Sequence, residues 1–405
     1  MKKVLVGVKH REALESFRLI NLFNTKNNWD FELSLIIFFP LQQNELEDIK
    51  KEGIEVISSY WNLPLITEDN KMSKVKKFYL NFVTYRILEK ELNNDYDCVV
   101  VSPGGFLLDQ LIAFAIVNNI PSFLLQNGFM LPLEFKKTNS QKSLFGYKLL
   151  APLSNFIFSR LMLKSNREFP KYLTIGKEYC EHIISELNSN TRAISVGNPR
   201  FFNLETGSHS GLSPKPKILY LTSSAIYEKR IDLHELGRKQ ILEIIKETEE
   251  ENIDFYIRPH PRDLYDWTQD KITRDIKILD SSVPLLEQIL DYDFMVAERS
   301  TAILQAILLG KVGYWISLDE ERRLDYDHIC HNSVSEMLLQ VKKVVNDKEL
   351  FFGIQKNQRT IVNNLVESSG EMAAHNIIDA ILDSNFTYNS EPNFNEYLEY
   401  LKLIG

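Results

Sequence analysis

The sequence has little cysteine and no long apolar run, and each absence excludes a class of protein. Its three cysteines, Cys98, Cys180 and Cys330, are too few and too far apart for a disulfide framework or a zinc site, which fits a reducing cytoplasm. No stretch of about 18 apolar residues is free of charge, so we expect no membrane span. The apolar run that follows Met1 is too short for a signal peptide and predicts a first buried strand.

The chain also lacks a basic excess and the common glycine-rich phosphate motifs. Its formal net charge is −8 at pH 7, so a general nucleic-acid role is not favoured. Neither G-x-x-x-x-G-K-[ST] nor G-x-G-x-x-G occurs, so a phosphate would have to be bound by other means. Hydrophobic residues make up 44% and charged residues 25% of the 405 residues, which is typical of a globular protein with two domains.

Short apolar runs alternate with helical patterns along most of the chain. This alternation predicts an α/β protein of two Rossmann-like, doubly wound domains. We expect an N-terminal domain at residues 1–204 and a C-terminal domain at 217–383, joined by a linker at 205–216 that is rich in Gly, Ser and Pro. The tail at 384–405 is expected to pack back on the N-terminal domain.

The stretch Arg258-Pro259-His260-Pro261-Arg262 follows a predicted strand and concentrates three cationic side chains on a stiff backbone. Each proline fixes its own φ and favours extended geometry in the residue before it, so Arg258 and His260 are held extended. Two guanidinium groups and an imidazole at the end of a buried strand suit a phosphate or a carboxylate. The alternative is a charged surface turn in which His260 caps a backbone carbonyl.

Two further strand ends in the same half of the chain carry hydroxyl groups. Thr222-Ser223-Ser224 follows a predicted strand at 217–221, and Glu298-Arg299-Ser300-Thr301 follows one at 294–297 and opens a helix. Each group alone is more simply explained as an N-cap, but a helix N-terminus also binds anions. Three such ends on neighbouring strands predict one nucleotide site, formed by Thr222, Ser223, Ser224, Arg258, His260, Arg262, Glu298, Ser300 and Thr301.

The order of these motifs resembles that of bacterial GT-B glycosyltransferases of capsule and lipopolysaccharide synthesis. It is similar to His-Pro-motif sialyltransferases and Kdo transferases; in the sialyltransferases the His-Pro pair and a later Ser/Thr pair hold the nucleotide phosphate. By this resemblance, His260-Pro261 and Ser300-Thr301 take the same role. Gly197-Asn198-Pro199-Arg200 also resembles these enzymes and the related sugar-nucleotide epimerases. The acidic-acidic-Gly motif that carries the base of the sialyltransferases has no counterpart here, so sialic acid is not assigned as the donor sugar.

The resemblance implies two domains that face a central cleft, with the acceptor on the N-terminal side and the nucleotide sugar bound by the C-terminal domain. It implies transfer of a sugar from a nucleotide-activated donor to a growing surface glycan, free or lipid-linked. A CMP-activated acid sugar is favoured, and UDP-sugars stay open. No cofactor and no metal are expected, because the cationic cluster can neutralise the leaving phosphate. The alternatives are a non-hydrolysing sugar-nucleotide epimerase, a glycerophosphate or polyol-phosphate transferase with a CDP-activated donor, and a two-domain binding protein, which the lack of a signal sequence disfavours.

Two residues at strand ends of the first domain are candidates for the catalytic base that takes the proton of the acceptor hydroxyl. His10 follows the first strand, and Asp109 opens the helix after Pro103-Gly104-Gly105. Their simpler interpretations are a helix cap for His10 and a first-turn acid, favourable to the helix dipole, for Asp109.

The segment 136–167 departs from the α/β pattern. It contains seven basic residues and no acidic one, interleaved with aromatic and aliphatic residues. This composition is typical of a segment on an anionic membrane surface, and the alternative is a pair of buried helices broken at Pro152. The sequence thus indicates a cytoplasmic protein that binds no nucleic acid, with a peripheral position on the inner face of the cytoplasmic membrane as one interpretation.

Overall fold

The chain divides into two α/β units in a computed structural model. The first unit contains Met1–Arg200 and a segment that begins at Leu365, and the second contains Phe201–Asn364. The structure describes residues 1–59, 87–92, 95–102, 111–112, 114–115, 118, 120–126, 171–181, 193–201, 211–226, 230–298, 300–316, 326 and 328–382.

The first unit is built on a parallel sheet whose order is β3-β2-β1-β4-β5-β6-β7. Its strands are β1 (Lys2–Val8), β2 (Phe31–Ile37), β3 (Glu55–Ser59), β4 (Cys98–Val101), β5 (Ser122–Leu125), β6 (Lys171–Thr174) and β7 (Ala193–Ser195). All four residues of β4 are buried. A strand in the middle of a parallel sheet is covered on both faces, which is why its sequence is an uninterrupted apolar run.

The second unit repeats this plan in a parallel sheet whose order is β10-β9-β8-β11-β12-β13. Its strands are β8 (Lys217–Leu221), β9 (Asp254–Arg258), β10 (Lys277–Ile278), β11 (Phe294–Ala297), β12 (Val312–Ile316) and β13 (Cys330–His331). In both sheets the strand order reverses beside the first strand, between β1 and β4 and between β8 and β11. This reversal is the topological switch point of a doubly wound fold. The prediction of two Rossmann-like α/β domains is confirmed.

Helices connect these strands and cover the sheets. Those with described bounds are α1 (Arg11–Asn27), α2 (Gln43–Lys51), α3 (Ile231–Glu250), α4 (Leu285–Ile289), α5 (Thr301–Leu308), α6 (Val334–Asn346), α7 (Lys348–Leu365) and α8 (Gly370–Leu382). The sequence predicts α6 at about 333–346 and α8 at about 371–383, but it does not predict α7 or the two-residue strand β13.

Two buried glutamines explain why α7 escapes prediction. Gln355 and Gln358 lie on its buried face, where they interrupt the apolar periodicity that identifies a helix. Gln358 Oε1 accepts a hydrogen bond from Gly313 N at 3.0 Å, and its Nε2 donates to Gly313 O at 2.7 Å. The short strand β13 pairs only with the end of β12. The backbone N–H and C=O of Gly313 in β12 therefore bond to the Gln358 side chain. This side chain takes the place of a neighbouring strand where β13 does not extend.

Helix α8 packs against α1 in the first unit, whereas the sequence analysis places it in the second domain. The carboxylate of Glu371 is fully buried, and its Oε1 accepts a hydrogen bond from Asn27 Nδ2 at 2.7 Å. The rings of Trp29 and His375 meet edge to face, with centroids 5.8 Å apart. The chain thus joins the first unit well before 384–405. That segment lies outside the described residues, as do residues 205–210 of the expected linker.

The basic segment 136–167 also lies outside the described residues. Among the helices that the structure describes, none is long and apolar enough to cross a membrane.

Candidate functional site

The three predicted strand ends lie side by side in the second sheet. β8 has β9 on one side and β11 on the other, and the register places Leu221, Arg258 and Ala297 at one level. The loops that follow these residues therefore leave the sheet at the same edge, beside the switch point between β8 and β11. Ligands of doubly wound sheets bind at this position, outside the carboxyl ends of the strands.

Hydrogen bonds fix the loop after β9 on both sides of His260. The backbone N–H of His260 donates to Thr222 Oγ1 at 2.9 Å, and its carbonyl accepts from Asp263 N at 2.8 Å. Its imidazole Nδ1 accepts from Arg262 N at 3.1 Å. Because Nδ1 is an acceptor, the neutral ring carries its proton on Nε2. The half-buried ring thus has an N–H of the kind that a phosphate oxygen accepts, next to the exposed Arg262.

The hydroxyl of Thr222 braces this loop. The side chain is buried, and Oγ1 donates its one proton to Asp263 Oδ2 at 2.9 Å while it accepts from His260 N. A hydroxyl has a single proton, so this geometry leaves Thr222 none to donate to a ligand. Of the residues that follow Thr222, Ser223 is half-buried and Ser224 is buried.

Arg258 points into the unit rather than out of the strand end. It is 6% exposed, and its Nε donates to Gln288 Oε1 at 2.6 Å. Its second guanidinium nitrogen donates to the carbonyls of Ser281 at 3.2 Å and Val283 at 2.9 Å. Burial lowers the pKa of Arg258 to about 10, so the side chain is still charged at neutral pH. These bonds tie the loop after β10 to the end of β9.

Helix α5 begins directly above β11. Ser300 is its N-cap: the backbone is extended, and the side-chain oxygen accepts from Ala302 N at 3.2 Å. The first N–H groups of a helix have no partner within the helix and carry partial positive charge, which favours an anion. Ser300 and Thr301 are half-buried, Glu298 is buried, and Arg299 lies outside the described residues.

Of the two candidates for the catalytic base, the structure describes only His10. His10 is exposed and occupies the N-cap position of α1, without a side-chain hydrogen bond that caps the helix. Its carbonyl accepts from the N–H groups of Ala13 and Leu14, both at 3.2 Å. Asp109 lies outside the described residues.

The Gly197-Asn198-Pro199-Arg200 motif holds the returning chain in the first unit. Gly197 has φ of +91°, and a Cβ built on it would lie 2.2 Å from the carbonyl oxygen of Ser368. Asn198 N donates to that same oxygen at 3.0 Å, and Asn198 Oδ1 accepts from Arg200 N at 2.9 Å. Only glycine allows this close approach without strain. The motif therefore holds the returning segment, at Ser368, close to the end of β7.

Three Asp-Tyr-Asp sequences bear on the expectation that no metal is needed, since paired carboxylates can share a divalent cation. In the first, Asp97 precedes β4 and accepts from Lys3 N at 2.8 Å. In the second, Asp293 precedes β11 and accepts from Ser213 N at 3.0 Å and Lys217 N at 2.9 Å. Asp97 thus braces the amino end of β1 in the first sheet, and Asp293 braces the amino end of β8, opposite the candidate edge of the second sheet. The third pair, at 325 and 327, lies outside the described residues. Among the residues that the structure describes, no group of three His, Cys, Asp or Glu side chains could hold a metal ion.

No sequence pattern predicts a role for Asp263 in the site, although this residue directly follows the basic cluster. Besides Thr222, its carboxylate accepts from Trp267 Nε1 at 2.8 Å and from Tyr265 N at 3.2 Å. Its role depends on Thr222, which follows β8, and on two residues of the turn that comes after it. The sequence therefore indicates only that Asp263 lies in the loop after β9.

Comparison with known proteins identifies the fold. No protein-family model matches the sequence, and no curated protein matches it. The calicheamicin glycosyltransferase CalG4 is similar in structure, with a TM-score of 0.57 at 12% identity over 95% of this chain and 98% of that one. A putative UDP-N-acetylglucosamine 2-epimerase from Listeria monocytogenes gives 0.58 at 12% identity, over 95% and 98%. The UDP-GlcNAc 2-epimerase from Neisseria meningitidis, bound to UDP-GlcNAc, gives 0.55 at 14% identity, over 94% and 100%. The chain therefore has the two-domain Rossmann-like fold that these transferases and epimerases share.

Proposed function

We propose that the protein is a glycosyltransferase that moves a sugar from a nucleotide-activated donor to a growing surface glycan without a metal ion. The observation that carries the proposal is the convergence of the loops after β9, β8 and β11 beside the switch point of the second sheet. There His260 has an N–H donor, Arg262 is a cation and α5 presents the positive end of its dipole. The similarity to CalG4, a glycosyltransferase, supports the proposal.

The charges at this edge favour a donor that leaves a nucleoside monophosphate. The sequence offers three cations, but the guanidinium of Arg258 is buried and donates to Gln288 and to two backbone carbonyls. Of the other described groups at this edge, Arg262 is exposed, His260 is half-buried and α5 presents the positive end of its dipole, and together these suit one phosphate. A diphosphate carries more negative charge and needs further neutralisation. A CMP-activated acid sugar therefore fits better than a UDP-sugar.

A thermal-shift panel of CMP, CDP, UDP and GDP, with magnesium or with chelator, tests the donor. We expect CMP to raise the melting temperature equally in both conditions, because bound ligand stabilises the folded state. Stabilisation only by UDP or GDP, or only with magnesium, would refute a metal-free monophosphate site.

For the acceptor side, we propose His10 or Asp109 as the base and residues 136–167 as a contact with the inner face of the cytoplasmic membrane. The lack of acidic residues in that segment motivates the second part. Binding to vesicles that contain anionic lipid should fall as salt rises, because salt screens surface charges beyond about 8–10 Å. Absence of binding at every salt concentration would leave the buried-helix interpretation.

The second candidate function is a sugar-nucleotide epimerase, which the similarity to the Neisseria and Listeria proteins favours. The two functions differ in their need for an acceptor. Incubation with nucleotide sugars alone should give no product if the protein is a transferase. An epimerised nucleotide sugar, formed without any acceptor, would establish the alternative.

A further inference from the structure

We propose that Asp263 is a positioning residue of the phosphate site, which acts through Thr222 to fix the loop that carries His260. The ligand in this proposal depends on the proposed function, but the positioning depends only on the geometry of the loop.

Asp263 receives more hydrogen bonds than a residue of an exposed turn needs. Its Oδ2 accepts from Thr222 Oγ1 at 2.9 Å and from Trp267 Nε1 at 2.8 Å, and its Oδ1 accepts from Tyr265 N at 3.2 Å. Both oxygens act as acceptors, as an ionised carboxylate can and an amide cannot. Asp263 thus joins the end of β8 to the loop after β9.

The bond to Asp263 also sets the direction of the Thr222 hydroxyl. Since the hydroxyl proton lies towards Asp263, a lone pair of Oγ1 faces the backbone N–H of His260, which donates to it at 2.9 Å. Asp263 contributes its own N–H to the carbonyl of His260 at 2.8 Å. Both peptide groups of His260 are therefore held by one unit made of Asp263 and Thr222.

The far side of this unit is anchored by aromatic packing. Trp267 is buried, and its ring centroid lies 5.0 Å from that of Tyr265 and 5.5 Å from that of His234 on α3. A carboxylate bonded to a buried indole has little freedom to move. Asp263 is therefore a rigid support on which the orientation of His260 depends.

The consequence for chemistry lies in the proton of the His260 ring. Nδ1 accepts from Arg262 N at 3.1 Å, which keeps the neutral proton on Nε2, where a phosphate oxygen can accept it. If Asp263 no longer orients Thr222, the His260 backbone loses its fixed position and the bond to Nδ1 weakens. The ring then populates both neutral tautomers, and the donor is no longer preset.

The variants remove or keep the hydrogen bonds that the Asp263 carboxylate accepts. Asp263→Ala removes both acceptor oxygens, so Thr222, Trp267 and Tyr265 all lose this partner. Thr222→Val removes the hydroxyl, and Thr222→Ser keeps it. Asp266→Ala is the matched control, because Asp266 is an exposed carboxylate in the same loop whose hydrogen bonds come from Thr268 and Gln269.

The first measurement is calorimetric titration with CMP, CDP, UDP and GDP. We expect Asp263→Ala and Thr222→Val to weaken binding of the preferred nucleotide about tenfold, with little change for Thr222→Ser and Asp266→Ala. The double variant Thr222→Val/Asp263→Ala should lose no more than the weaker-binding single variant, because both act on one path. Additive losses, or unchanged affinity in Asp263→Ala, would overturn the proposal.

The second measurement needs no ligand and separates this proposal from the proposed function. The ¹⁵N shifts of the His260 ring in the free protein, identified by their loss in His260→Gln, report its tautomer. We expect the Nε2–H form in the wild type and in Asp266→Ala, and a mixture of tautomers in Asp263→Ala. An unchanged ring in Asp263→Ala refutes the positioning role, whether or not any nucleotide binds. If the wild type binds none of the four nucleotides, only the proposed donor site is refuted.

Discussion

Replacement of Arg258 by methionine should destabilise the second unit and leave nucleotide affinity nearly unchanged. The sequence suggests the opposite, because Arg258 opens the basic cluster. In the structure its guanidinium bonds to Gln288 and to the carbonyls of Ser281 and Val283. Methionine has a similar length but no donor, so all three acceptors would lose their partner while the packing is largely kept.

The size of the effect follows from two opposing contributions. Hydrogen bonds from a charged donor contribute about 1.5–3 kcal/mol each, which gives about 4.5–9 kcal/mol for three. Burial lowers the pKa of Arg258 from its ordinary value to about 10, which corresponds to roughly 3 kcal/mol against the charged form. The difference places the loss for Arg258→Met near 3 kcal/mol. For a unit of this size that loss lowers the melting temperature by about 6–12 °C.

Thermal unfolding and calorimetric titration of the same preparations measure both effects. Arg262→Met is the matched control, because it removes an exposed cation from the same cluster and should weaken nucleotide binding without lowering the melting temperature. Arg258→Lys keeps the charge but not the planar fork, so it should recover only part of the stability. An Arg258→Met protein with normal stability and strongly reduced affinity would show that the guanidinium faces the ligand.

Three further predictions concern the N-cap of α5, the segment at Ser368 that packs against Gly197, and stability at acid pH. Ser300→Ala should cost about 1 kcal/mol in denaturant unfolding and weaken nucleotide binding, because it removes the N-cap acceptor. Gly197→Ala should lower the free energy of unfolding by more than about 1 kcal/mol, since a Cβ would lie 2.2 Å from Ser368 O, whereas Gly211→Ala, with nothing within 4 Å, should not. Asp270 is buried. Burial raises the pKa of its carboxyl, but hydrogen bonds from guanidinium and phenol donors outweigh this effect and lower the pKa from 3.8 to about 2. Its stabilisation, about 2 kcal/mol, is present above pH 4 and lost as pH falls towards 2, so pH-dependent unfolding of Asp270→Asn should show less stability at pH 7 and a flatter profile over that range.

Local pattern was sufficient to predict the strands that position the candidate site. β8 and β11 were predicted with the bounds that the structure has, 217–221 and 294–297. Each is an apolar run that ends abruptly at polar residues, which marks the carboxyl end of a buried parallel strand. The expectation that these strands and β9 are neighbours is confirmed by the sheet order, in which β8 lies between β9 and β11.

Side-chain roles within the site depend on contacts that local pattern does not contain. Arg258 and Arg262 look equivalent in the sequence, yet one is buried and the other exposed. What separates them is a set of acceptors 23 to 30 residues later in the chain. The roles of Asp263 and Gln358 likewise come from partners on other strands. Burial of a polar side chain is decided by whether the fold supplies its hydrogen bonds, and only the folded chain shows this.

The chemistry of the two switch points explains why the donor phosphate is assigned to the second unit. Both units have the same strand order, so topology alone would allow a phosphate at either. In the first unit Ser102 follows β4; it is 2% exposed and its hydroxyl has no hydrogen-bond partner among the described residues, while His10 and Arg11 after β1 are exposed and the Arg11 guanidinium bonds to Glu45. In the second unit an imidazole N–H, a guanidinium and the first turn of α5 stand at the corresponding strand ends. A phosphate dianion is stabilised by charged donors and helix dipoles, whereas a neutral hydroxyl of an acceptor sugar requires only a hydrogen-bond partner and a base. We therefore propose the donor phosphate for the second unit and the acceptor sugar for the first.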